Sequence, residues 1–324
     1  MRNPENQKIE MVAYEAFLKR ASIINMPFML KGSYVTRQYL PADVARFPAD
    51  MDWVYMYYLH REDDAAYVFS QWLTEITELE TGDGIAFRSF KENKFWRMMD
   101  YAMADDFPTV NTDLLCTVHG HEIGLKIDIS FNLGIEQPPI PLLYNPIEGP
   151  PFTVPFTVPL SLQVSWKIHQ SLVRPRFKDF FDLTYLVIHP LFNADVRLAA
   201  LQALVNECAE DSIGHETLIS FFNYEFEKLF RSEPINKAWN FWVEVEGDIT
   251  GIDKAPTGLN VFLQNLSTNL EAAGMVRELL AQPPLAGYIE NSMLRQAEHI
   301  ITQPPISDND SILKRFIKWV SGNK

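Results

Sequence analysis

Apolar residues recur at helical spacing from Lys8 to Ser22, Val12, Ala16 and Leu18 among them, and predict an amphipathic helix. Phe28-Met29-Leu30-Lys31 is a short apolar run that predicts a strand. It gives way to Gly32-Ser33, a pair suited to a tight turn. Ser33 to Leu40 predicts a helix stopped by Pro41. A second apolar run, Met51 to Leu59, predicts a second strand, and Glu62 to Leu79 returns to helical spacing before Gly82 and Gly84. Ile85 to Phe90 predicts another strand. Leu114 to His119 and Glu122 to Phe131 alternate well enough to predict a hairpin across Gly120.

The pattern changes at residue 137. Gln137 to Pro159 holds Pro138, Pro139, Pro141, Pro146, Pro150, Pro151, Pro155 and Pro159, which rules out a continuous helix. It reads as an extended crossing between two lobes. From Leu160 the spacing is mostly helical, broken at Pro190, Pro234, Pro283-Pro284 and Pro304-Pro305. The fold class expected is α+β: a small mixed β-sheet lobe flanked by helices over 1–136, the proline-rich crossing over 137–159, and a mainly helical lobe over 160–324.

Composition narrows this picture. A chain of 324 residues makes one large or two modest domains. Hydrophobic residues at 47% supply a sizeable core, and a mean hydropathy of −0.11 is that of a soluble protein. The polar start, Met1 to Asn6, carries no signal-peptide apolar region, and no apolar run approaches the roughly 18 residues of a membrane span. Cys116 and Cys208 lie far apart with no metal-ligand spacing, so a reduced, cytoplasmic protein is expected. The net charge of −14 argues against broad nucleic-acid binding but leaves room for a local basic cleft.

Candidate chemistry begins at Asp50-Met51-Asp52. On a strand, Asp50 and Asp52 point to one face, because side chains repeat every two residues. Side-by-side carboxylates repel, and a divalent cation such as Mg²⁺ would relieve them. The Gly32-Ser33 turn would place backbone N–H groups and a hydroxyl where a phosphate is favoured. A third carboxylate is expected from Leu125 to Ser130, where Asp128 sits among β-branched neighbours with Lys126 two residues away. The bland alternative is a strand-edge aspartate paired with Lys126. Further on, Lys167, Ser171 and Arg174 share one helix face, and Asp179 and Asp182 lie one turn apart. Lys167 could meet a triphosphate as a point charge, and Arg176 could grip phosphate oxygens bidentately. Asp182 would then orient Lys167 or Arg176. A solvated salt-bridge network is the alternative.

These residues carry a resemblance. Gly-Ser, a spacer and Asp-x-Asp resemble the signature of the nucleotidyltransferase fold superfamily. Leu30-Lys31-Gly32-Ser33 with Arg46-Phe47-Pro48-Ala49-Asp50-Met51-Asp52 is similar to the AbiEii/AbiGii toxin family within it, with Pro48 where that family often has serine. Arg174-Pro175-Arg176-Phe177-Lys178-Asp179, followed by Asp182-Leu183, resembles a second motif of the same family. The likeness covers roughly residues 10 to 190. It implies a Mg²⁺-dependent enzyme that moves a nucleoside monophosphate from a nucleoside triphosphate to an acceptor hydroxyl. The acceptor would be RNA, a tRNA end or a protein, and a cognate antitoxin would be a partner. It implies Asp50, Asp52 and Asp128 as metal ligands, with Lys167 and Asp182 joining them in catalysis. Lys31, Gly32, Ser33, Arg46, Arg176 and Lys178 would hold the nucleotide. A catalytically silent module that binds a nucleotide or partner on the same fold is the alternative.

Two further stretches could mislead. His119-Gly120-His121 could bind metal, but turn histidines are more often simply exposed. Lys91 to Arg97 mixes cations with aromatics and could stack on bases. An ordinary amphipathic helix is the commoner use of such a stretch.

Overall fold

The computed structural model describes residues 4–92, 94–98, 108–246 and 258–302. Its centre is an eight-stranded mixed sheet. The chain opens with α1 (Pro4–Ile24), β1 (Phe28–Lys31), α2 (Ser33–Tyr39), β2 (Met51–Tyr55) and α3 (Glu62–Glu78). Two short strands follow, β3 (Ala86–Phe87) and β4 (Arg97–Met98), then the long hairpin β5 (Thr109–Val118) and β6 (His121–Ser130). The hairpin turns at His119-Gly120, as its alternation predicts, but β5 starts earlier than Leu114. Lys91 to Arg97 is not a helix: a turn at Lys91-Glu92 leads to β4, and Asn93 lies outside the described residues.

The proline-rich stretch corrects the expected lobe boundary. It is extended, but it is part of the sheet rather than a crossing outside it. Ile140–Tyr144 (β7) and Phe152–Thr157 (β8) carry the sheet order to β3-β5-β6-β2-β1-β8-β7. Proline is tolerated there because β7 is an edge strand and Pro155 falls at a register shift, where a missing N–H costs little. The sheet lobe therefore runs to Thr157, and Val158 still donates to the Leu30 carbonyl at 3.0 Å.

The two faces of the sheet differ. Phe28, Leu30, Trp53, Ile127 and Ile129 point towards α1 and α3 and are buried. Phe28 stacks on Trp72 at 3.9 Å between centroids, and Phe17 meets Trp53 and Trp72 edge-on. Burying each such ring stabilises the fold by about 1.5–3 kcal/mol. The alternate residues Lys31, Asp52 and Asp128 take the opposite face. There the helical part of the chain packs back: α4 (Leu160–Val173), α5 (Phe177–Leu186), α6 (Ala194–Glu210), α7 (His215–Phe222), α8 (Ile235–Phe241), α9 (Leu259–Ala272) and α10 (Leu285–Thr302). Phe177 is central to its core, touching Phe230, Trp239 and Phe262. Among the described residues no strand follows Thr157 and no helix is long and apolar enough to cross a membrane.

Candidate active site

The site lies where the sheet's polar face meets α4 and α5. Strand register builds it. Lys31 of β1 is opposite Asp52 of β2. Asp52 is beside Asp128 of β6 in a parallel pair, and Asp128 is opposite Asn111 of β5. Neighbouring strands are about 4.8 Å apart, so the two aspartates stand side by side. Asp50 falls just ahead of β2, which begins at Met51, yet it reaches the same cleft.

Gly32 is required twice over. Its φ is +73°, a region that costs most residues strain, and a Cβ there would collide with the Asp52 carboxylate. The Gly-Ser turn and the Asp-x-Asp strand are thus one packed unit. Gln163 of α4 closes it from above by donating to the Gly32 carbonyl at 2.8 Å and to the Thr36 hydroxyl.

The three aspartates sit in a strongly negative environment. Burial and then Asp52 push the Asp50 pKa above the ordinary carboxylate value. Burial and then Asp52 also push Asp128 up to about 6, with the Asn111 amide pulling it down. Asn111 donates to Asp128 Oδ1. The donor set is oxygen-only, which suits a hard cation such as Mg²⁺. Among the described residues no three His, Cys, Asp or Glu side chains already enclose one point, so a bound ion would need these carboxylates to turn about their side-chain torsions.

Cations face them from α4, from the start of α5 and from the loop that leads into β2. Asp182 is fully buried and takes Arg46 bidentately, Nε to Oδ1 at 3.0 Å and Nη2 to Oδ2 at 2.8 Å. Arg46 also donates to the Ser33 hydroxyl at 2.7 Å. Lys167 is only 10% exposed and bridges Asp179 Oδ1 at 2.9 Å and Asp182 Oδ2 at 2.6 Å. Arg176 donates to Asp179 Oδ2 at 2.6 Å. Burial alone would raise both carboxyls. Instead Lys167, Arg176 and Lys178 hold Asp179 low, and Arg46 and Lys167 hold Asp182 low. Lys178 has its pKa lowered by burial and by Arg176 and Arg46, and has no ion-pair partner among the described residues.

Every residue expected to hold metal or nucleotide or to act in catalysis, except Asp182, lines one cleft of about 290 Å³, and Asp182 lies directly behind it. Lys167 does not stand free to meet a triphosphate as a point charge: it is buried between two carboxylates. Arg46 and Ser33 line the cleft but are bound to each other. Reading the sequence missed Asn111, Gln163 and the anchoring role of Asp179. Asp179 stands inside the second motif, so a signal was there. Gln163 is one turn before Lys167 on α4, and nothing but that spacing marks it. His119 and His121 remain at the hairpin turn, away from the cleft.

Residues 16–244 match a family model for nucleotidyltransferases. The chain belongs to the family that model describes, the nucleotidyl transferase AbiEii toxins of type IV toxin–antitoxin systems. The match runs past residue 190 and takes in much of the helical region. Among solved structures the chain is similar to JHP933 from Helicobacter pylori, with 14% identity, 91% of this chain and 98% of that one covered, and a TM-score of 0.42. It is also similar to MenT4, a nucleotidyltransferase toxin from Mycobacterium tuberculosis, with 13% identity, 87% and 92% covered, and a TM-score of 0.48. No curated protein matches the chain.

Proposed function

We propose that this cleft transfers a nucleoside monophosphate from a nucleoside triphosphate to an acceptor hydroxyl, with Mg²⁺ held by Asp50, Asp52 and Asp128. The observation that carries the reading is the pairing of Asp52 with Asp128 on adjacent parallel strands, with Asp50 beside them and unpaired Lys178 facing them. Bound Mg²⁺ would stabilise the entering and leaving oxygens as charge develops on them. Lys31, Arg174 and Lys178 line the cleft without an ion pair among the described residues and are the cations free to neutralise the triphosphate. Lys167, Arg46 and Arg176 act differently: three cations against Asp179 and Asp182 leave one net positive charge behind the phosphate site. Such fixed charge needs no reorganisation during the reaction. The acceptor is RNA, a tRNA end or a protein, and an antitoxin is the cognate partner.

Incubating the protein with each labelled nucleoside triphosphate, Mg²⁺ and total cellular RNA or protein tests this. One triphosphate is expected to label an acceptor, and Asp52→Asn is expected to abolish the label. Nucleotide binding without label in any fraction would favour a silent binding module.

A further inference from the structure

We infer that Asn111 and Arg97 are positioning residues for Asp128, reaching it across the sheet from outside the cleft. The inference rests on the proposed role of Asp128 as a metal ligand. Five side chains fall in one row perpendicular to the strands: Lys31, Asp52, Asp128, Asn111 and Arg97. Each is the direct cross-strand partner of the next. The row reads cation, acid, acid, amide, cation.

The amide is the decisive member, because it has two ends. Asn111 Nδ2 donates to Asp128 Oδ1, while Asn111 Oδ1 accepts from Arg97 Nη2 at 2.7 Å. Guanidinium can only donate, so Arg97 dictates which way the amide faces. Reversed, the amide would put its oxygen against the aspartate. Asn111 is buried, whereas the Arg97 side chain is 47% exposed and absent from the cleft wall. Arg97 is itself held in place: it pairs with Asp113 and lies over the Phe95 ring at 5.2 Å. A lysine lacks the planar fork needed to serve the amide, the acid and the ring together. The partners that orient a ligand typically change metal affinity or activity by about 10–100-fold when removed.

The test uses the full chain and two readouts. Mn²⁺ affinity is measured without nucleotide by the electron paramagnetic resonance of the free ion. The rate kcat and the KM for nucleotide are measured at saturating Mg²⁺. Asn111→Leu is expected to weaken Mn²⁺ binding and lower kcat by about 10–100-fold, with KM little changed. Arg97→Met is expected to do the same by about tenfold, and Arg97→Lys to recover part of the loss. Asp113→Asn, which loosens Arg97 but leaves its contacts with Asn111 and Phe95, is expected to lose less than Arg97→Met. Should Asn111→Leu fold poorly, Arg97→Met on the exposed side carries the test alone. Parental Mn²⁺ affinity and kcat in Arg97→Met would overturn the inference, as would losses that merely track the folded fraction by circular dichroism. Asp52→Asn separates the two levels: parental Mn²⁺ binding and transfer in that variant would sink the proposed function itself.

Discussion

Arg46 and Asp182 are 136 residues apart in sequence and form a buried two-pronged ion pair that joins the loop before β2 to α5. The Arg46 side chain is 7% exposed and that of Asp182 is not exposed at all. Two charges so deep hold only because each satisfies the other and Lys167 and Ser33 take what remains. Asp182→Ala strands Arg46 and Lys167 together, and is expected to lower unfolding free energy by about 3–5 kcal/mol. Urea unfolding checks this; a loss below about 1 kcal/mol would mean that water reaches the pair.

Lys167→Ala is expected to damage both stability and turnover. The change leaves Asp179 and Asp182 short of a shared cation in a buried setting. The melting temperature should fall clearly, and the residual activity per folded molecule should still be down by about two to three decades. Normal specific activity in the folded fraction would limit Lys167 to a structural role.

Gly32→Ala tests the packed unit of turn and strand. A left-handed backbone costs most residues roughly 1–2 kcal/mol, and the added methyl also displaces the Asp52 carboxylate. Activity is expected to drop far more than stability. An alanine variant with parental transfer rates would show that Asp52 tolerates displacement.

Acidity should stabilise the metal-free protein down to about pH 5. Burial raises Glu15 and Glu207 to about 7, and burial together with Asp52 raises Asp128 to about 6. A carboxyl with a raised folded pKa contributes stability that is full below its unfolded value near 4 and is lost as pH rises through the folded value. Asp179 and Asp182 have the opposite sign, so their contribution survives until pH falls below about 4. In EDTA the melting temperature is therefore expected to rise from pH 8 to pH 5 and fall in stronger acid. Added Mg²⁺ should stabilise more at pH 8 than at pH 5, because protons compete for the same oxygens. A scan with no rise between pH 8 and pH 5 would contradict the buried placement of these three carboxyls.

Asp52 and Asp128 were legible in the sequence because each sits within an apolar strand run, and Asp50 because it stands two residues before Asp52, although it falls just ahead of the strand. The hairpin was legible from the two-residue period of its strands. Its first strand was read too short because Thr109, Asn111 and Asp113 are polar residues on a polar face, so no apolar run announces them. Asn111 was hidden by that same alternation. The strands over 140–157 were masked by proline, which argues against central strands but not against an edge or a bulge. Lys167 was placed on the right face of its helix, but burial depends on what packs over that face. Nothing local in the sequence says that Asp182 will return 136 residues later to cover Arg46.

The span between Arg46 and Asp182 also sets an order of events during synthesis. At about 5–20 residues per second, a ribosome needs roughly 7–27 s after making Arg46 before it makes Asp182. Once β6 has been made, late in that interval, the three aspartates can share a sheet, yet the guanidinium beside the Gly-Ser turn still lacks the Asp182 carboxylate. The nascent protein thus carries the three aspartates of the cleft first and completes the ion pair only when α5 leaves the exit tunnel and folds back. Delay is built into the connectivity: the pair cannot close until α5 has been made, and the helices from α6 onward are still to come at that point.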